Sequence, residues 1–158
     1  MIRTPFQALV WQALPFWAQR AILWLSNTHF VVGTAALIRD GNDRILLARH
    51  TYRRRAPWGL LGGWVRRGES PAEAVVREVR EETALDVEVT HLLAVRSESS
   101  AHLTIVYGAR LIGGAFRPSA EVSEVQFIER GVWPEGLRAD HRVLIERFGW
   151  QPAPQARG

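Results

Sequence analysis

The stretch from Gly62 to Leu85 limits the fold of this chain more than any other, because it sets a tight loop directly against a helix that begins at a fixed residue. Ser70 is a helix N-cap, Pro71 occupies the first helical position where its missing N–H costs nothing, and Glu73 stands three residues after the cap. The period then predicts a helix over Pro71–Leu85, with Ala72, Val75, Val76 and Val79 on one apolar face. Glu78, Glu81 and Glu82, spaced i, i+3, i+4, share another face with carboxylates about 5–6 Å apart, accompanied by Arg77 and Arg80. An isolated charged run of this kind is usually a solvated helix surface. The upstream glycines, Gly62-Gly63 and Gly68, change that expectation. They let a backbone carbonyl turn toward the carboxylates, and hard oxygen donors so arranged suit Mg²⁺, with Mn²⁺ as a substitute, rather than zinc.

Around this stretch the pattern is mostly β. FVVGTAALIR and RILLARH flank a turn cluster at Asp40–Asp43 and read as a hairpin, and three further strands follow at DVEVTHLLAVRSES, AHLTIVYGARLIGG and VSEVQFIE, with Gly113-Gly114 as a turn or bulge. Ala139–Phe148 is a short helix, and residues 151–158 read as a flexible tail. The expected fold is therefore α/β, with helices on a mixed sheet and one domain at 29–150, consistent with 158 residues. All 20 basic residues are arginine, against 16 acids. They are scattered rather than striped, so a nucleic-acid surface is not expected. With no cysteine there is no disulfide frame, thiol nucleophile or Cys-ligated metal. A cytoplasmic setting is the default.

Residues 1–28 stand apart. They carry three of the seven tryptophans, and between Arg3 and Arg20 there is no charge. Thr4-Pro5 reads as a helix start, and Pro15 should kink or divide the helix. The uncharged run is short of the roughly 20 residues that cross a bilayer. Such an apolar helix packs on its own domain or on a dimer partner in the ordinary case; the other reading is peripheral membrane contact, with tryptophan at headgroup level.

The run GWVRRGESPAEAVVREVREETAL at 63–85 resembles the Nudix box: glycine, five residues, Glu69, seven residues, then Arg77-Glu78, an apolar residue, and Glu81-Glu82 two residues on. The resemblance extends over roughly 30–148 and implies the Nudix α/β/α sandwich with a mixed sheet. It also implies hydrolysis of a diphosphate linked to another group, by metal-assisted attack of water. It gives Glu78, Glu81, Glu82 and the carbonyl of Gly62 as metal ligands, with Arg77 and Glu69 orienting the carboxylates. A further carboxylate is expected from Glu121, with Glu98 as the alternative, and the proton acceptor is left between Glu78 and Glu121. Two positions depart from the pattern: Ala84 stands where the box has glycine, and Leu61 where proline is common.

The substrate is less legible. Arg49, Arg53, Arg54, Arg55, Arg66 and Arg67 flank the box, with Arg49 and Arg66 the better phosphate ligands from their placement. Trp64, Tyr52, Trp58, Phe116 and Trp133 are candidates to stack on a base, although core packing is the commoner role, and His50 faces either the cleft or a core contact. The expectation is a small-molecule partner: a nucleoside di- or triphosphate, or a nucleoside diphosphate derivative. The alternative is a Nudix-fold nucleotide-sensing module without significant turnover. A homodimer is a reasonable prior.

Overall fold

Two units divide the chain, residues 1–30 and 31–158; the computed structural model describes residues 11–27, 29–99 and 101–150. In the first unit residues 11–13 are helical, and helix α1 runs Phe16–Ser26. Pro15 takes an extended ψ of 148° between them, so the proline divides the helix as expected. The side-chain amide of Gln19 reaches back across the break and donates to the carbonyls of Trp11 and Leu14 at 2.9 and 3.0 Å. The Thr4-Pro5 start and the 151–158 tail lie outside the described residues. No described helix is long and apolar enough to cross a membrane.

The second unit is built on strands β1 (Val31–Arg39), β2 (Ile45–His50), β3 (Trp58–Gly59), β4 (Leu85–Ser99), β5 (His102–Gly114) and β6 (Val122–Ile128), with α2 (Pro71–Thr83) and α3 (Ala139–Phe148). The sheet runs β3-β2-β1-β5-β4, and β6 also pairs with β2. It is mixed, since β1 pairs parallel with β5 while the other pairings are antiparallel. The expected β1–β2 hairpin closes through Asp40, whose Oδ1 accepts from the N–H groups of Asn42 and Arg44 at 2.9 Å. Its strands then part: Arg39↔Ile45 is the pair joining them. Beside β1 runs the 61–65 segment instead, bridging at Ala36↔Leu61 and Gly33↔Trp64. That divergence gives the loop before α2 a strand to lie against.

Period-2 alternation sorts the two sheet faces. Ala36, Ile38, Leu46 and Ala48 point to a core shared with Val75 and Val79 of α2. Ala35, Leu37, Ile45 and Leu47 point to the opposite core, shared with Leu144 and Ile145 of α3. Each fully buried valine contributes about 1.5–3 kcal/mol of transfer energy. This is a three-layer α/β/α arrangement. The apolar face of α2 differs by one column from the expectation. Ala74, Val75, Val79 and Thr83 are buried while Val76 is exposed, because one residue is a 100° step and the helix centres on the Val75–Val79 column.

Candidate active site

The local chemistry of α2 fixes where its carboxylates fall. Ser70 and Glu73 form a capping box, with the Glu73 N–H donating to Ser70 Oγ at 3.2 Å and the Ser70 N–H to Glu73 Oε2 at 2.8 Å. The helix ends at Ala84, left-handed at φ 59°, where the family pattern would place glycine. Upstream, Thr34 N–H donates to Gly63 O and Ala36 N–H to Leu61 O, leaving the carbonyl of Gly62 between them out of that ladder. Gly62 is dictated by backbone close to it, whereas a side chain at Gly63 would displace the end of Glu78. A Cβ on Gly62 would sit 2.0 Å from Thr34 O, and one on Gly63 would sit 2.3 Å from the carboxyl carbon of Glu78.

Arg77 organises the acids. It donates to Glu69 through Nε and Nη2 at 2.6 and 2.9 Å, to Glu78 Oε1 at 2.7 Å, to Glu81 Oε2 at 3.2 Å, and to the carbonyl of Trp64 at 3.0 Å. Its hydrogen bonds hold Glu69 down near 2. Arg66 forks onto Glu81 at 3.2 and 2.9 Å. Glu82 is different. It is 5% exposed, its Oε2 has no hydrogen-bond partner, and burial, then the charges of Glu121 and Glu78, push it up to about 8.

Glu78, Glu81, Glu82 and Glu121 line one cavity of about 540 Å³, together with Gly62, Gly63, Trp64 and Arg66, a size that suits a small ligand. The orphaned Glu82 oxygen, the neighbouring carboxylates and the backbone oxygen of a glycine loop are the hard donor set a divalent Mg²⁺ or Mn²⁺ takes. Among the described residues no three His, Asp or Glu side chains already converge as a coordination sphere. Arg77 holds Glu78 Oε1, and Arg77 and Arg66 together hold Glu81.

In the other walls Trp64, Tyr52 and Arg53 are residues expected near the substrate, whereas Thr34, Leu60, Thr104, Arg138 and His141 carry no such signal in the sequence. Trp64 is half exposed at the mouth, with its ring 4.8 Å from that of His102. Thr34, Ala35, Leu60, Thr104, Tyr52, Arg53, Arg138 and His141 complete the lining. Leu60 is held at both backbone groups by histidines: its N–H donates to His141 Nδ1 at 2.8 Å, and its carbonyl lies 3.3 Å from His50 Nε2. Burial drives His50 down to about 4 and His141 to about 3, so both are neutral and serve this bond pair.

Several expected ligands fall elsewhere. Arg49 is exposed on β2, in register with Trp58 and Glu124, and does not line the cavity; alternation along the strand turns it away from its buried neighbours Ala48 and His50. His50 makes the core contact and does not line the cleft. Trp58 is buried, and Phe116 and Trp133 pack against the two cores. The side chain of Glu98 lies outside the described residues.

A family model for the NUDIX domain matches residues 29–148. The chain belongs to the Nudix family. It is 32% identical over 125 residues to the "ADP-ribose pyrophosphatase" of Methanocaldococcus jannaschii, covering 76% of this chain and 73% of that protein. It is also 32% identical over 136 residues to the "8-oxo-dGDP phosphatase NUDT18" of Homo sapiens, covering 83% of this chain but 42% of that longer protein. Among solved structures, an ADP-ribose pyrophosphatase from Streptococcus suis superposes with a TM-score of 0.60 at 29% identity, covering 72% of this chain and 87% of that one. A NUDIX hydrolase from Nitrosomonas europaea gives 0.69 at 20% identity, covering 78% and 72%, a likeness of fold. The Nudix domain thus spans the whole second unit up to the end of α3.

Proposed function

We propose that this Nudix protein hydrolyses the diphosphate linkage of a nucleoside diphosphate derivative with the help of Mg²⁺ or Mn²⁺. The observation that carries the reading is Glu82: a buried carboxylate with an unpartnered oxygen, facing a cavity that three other glutamates line. Left alone, such a group is costly, and a divalent cation removes the cost. Glu82, Glu78 and Glu81, with the carbonyl of Gly62, would hold the ion. When bound, the metal screens the diphosphate charge and acidifies its water.

The chain's own residues divide the remaining work. Arg77 fixes the carboxylates of Glu69 and Glu78 in place. Glu121 is the better proton acceptor of the two candidates, because both line the cavity but Glu78 is tied to Arg77. Trp64, with its ring against His102, offers a face on which a base stacks. The names of the relatives support this substrate class, one acting on ADP-ribose and one on an oxidised deoxyguanosine diphosphate.

The test is phosphate release from a panel of nucleoside di- and triphosphates and diphosphate-linked nucleotides with Mg²⁺ or Mn²⁺, with products identified in ¹⁸O-labelled water. Turnover of diphosphate-linked substrates that stops on chelation is expected. Nucleotide binding without turnover across the panel would favour the sensing module instead.

A further inference from the structure

Two buried side-chain atoms among the described residues lack a hydrogen-bond partner, Glu82 Oε2 and Arg53 Nη1. They have opposite charge, both residues line the same cavity, and they do not pair with one another. Arg53 sits in the loop between β2 and β3 with its guanidinium 5.2 Å over the ring of Tyr52. A Cβ on Gly59 would lie 2.9 Å from Arg53 Nη1 and 2.7 Å from His141 Nδ1, so the missing side chain there is what admits the guanidinium.

The other arginines of the cavity are already engaged. Arg138 forks onto Asp140, Arg66 onto Glu81. No carboxylate among the described residues forms an ion pair with Arg53. The charges of Asp140 and Glu82 reach this half-buried guanidinium without forming an ion pair, so its inner nitrogen stays unmatched in the cavity wall. A ligand that answers both orphans at once needs anionic oxygens toward Arg53 and a cation between it and Glu82. A metal-bound diphosphate has that form, and the planar guanidinium fork matches phosphate oxygens.

We propose that Arg53 binds the non-bridging phosphate oxygens of the substrate's diphosphate and is the principal phosphate-holding side chain of the site. This rests on the hydrolase reading above, and deepens it by assigning the residue that recognises the diphosphate. Arg49, favoured by position in the sequence, faces away; of the arginines that line the cavity, Arg53 is the one without an ion pair among the described residues.

The experiment is calorimetric titration of inorganic pyrophosphate, with Mg²⁺ present, into the full chain and its Arg53→Gln and Arg53→Lys variants. Mn²⁺ alone is titrated into each as a measure of the carboxylate cluster. Arg53→Gln is expected to weaken pyrophosphate about 10- to 100-fold, the range of a lost charge-assisted hydrogen bond, while Mn²⁺ affinity stays within about threefold. Arg53→Lys keeps the charge without the fork and should fall between. Equal pyrophosphate affinity in wild type and the Lys variant, with no loss in any folded Gln variant, overturns the assignment, as does failure of the wild type to bind pyrophosphate. If the nucleotide panel shows no turnover but pyrophosphate binding still depends on Arg53, the hydrolase reading falls and this assignment stands. Turnover with pyrophosphate binding indifferent to Arg53 is the reverse.

Discussion

Replacing Glu82 by glutamine should make the metal-free protein more stable and the enzyme nearly inert, and the first effect should depend on pH in a calculable way. In the folded chain the carboxyl sits near 8, raised by burial before any neighbouring charge, against 4.5 for a free side chain. Below 4.5 it is protonated folded or unfolded and carries no penalty. Between 4.5 and 8 the unfolded chain ionises it while the folded chain keeps the proton, so wild-type stability falls as pH rises, by 1.36 kcal/mol per unit. Above 8 the loss is complete. Over the ~2.5 units from 4.5 to 7 this is about 3 kcal/mol, or ~6–12 °C in Tm for a domain of this size. Glutamine cannot ionise. The buried histidines pull the other way: His50 and His141 titrate far below 6.5, so the folded state loses stability on acidification. They contribute equally to both proteins, and the difference between the two curves isolates position 82. The assay is Tm in EDTA from pH 5 to 9. Curves that run parallel would refute the burial argument. In the same preparations turnover with Mg²⁺ should drop at least 100-fold; activity near wild type would remove Glu82 from the ligand set.

The remaining predictions follow from distances already given. Gly63→Ala forces a Cβ to within 2.3 Å of the Glu78 carboxyl carbon, so activity should fall at least tenfold and Mn²⁺ affinity with it; an unchanged Mn²⁺ titration would contradict that crowding. Ala84→Gly relieves a left-handed alanine at φ 59°, worth about 1 kcal/mol before the extra unfolded-chain entropy of glycine is subtracted. A rise in Tm of ~1–3 °C is expected, and Ala84→Val should lower it; the opposite order would show that the cap is not strained. Trp64→Ala should raise KM for nucleotides about tenfold or more with kcat little changed, read from initial rates, since a lost stacking face weakens binding by ~1–3 kcal/mol. Arg49→Ala, outside the cavity, should leave both constants within twofold.

The parts of this molecule written in consecutive residues were the legible ones. Ser70, Pro71 and Glu73 announce the start of α2 because a capping box spans four positions, and the left-handed exit at Ala84 follows from a box whose other positions match. The alternating strands are equally clear, although Gly113-Gly114, expected as a turn or bulge, pair with Asp86 and Leu85 as the end of β5. What escaped depends on contacts distant in sequence. Ala74 and Val76 exchange roles because packing against β1 and β4 decides which column of α2 is central. The two-residue β3 is too short to carry a period. Arg53 could not be told from its neighbours Arg54 and Arg55 by composition, since only Gly59 and His141 distinguish where it lies. His50 was undecided between cleft and core for the same reason: its partner is a backbone carbonyl in an irregular segment.

The hydrogen bond from Leu60 to His141 spans 81 residues, which sets an order in which the two sides of the cavity come into being. The carboxylate wall from Gly62 to Glu82 is encoded in one short stretch, its loop lying against β1 and its helix packing on β1 and β4. The facing wall waits for α3, which supplies His141. A chain cut before Arg138 would still carry Glu78, Glu81 and Glu82 on one helix face, but the Leu60 N–H would lose its histidine partner. The backbone that faces the carboxylates is thus pinned by a residue far away in sequence, while the carboxylates themselves are placed by near neighbours.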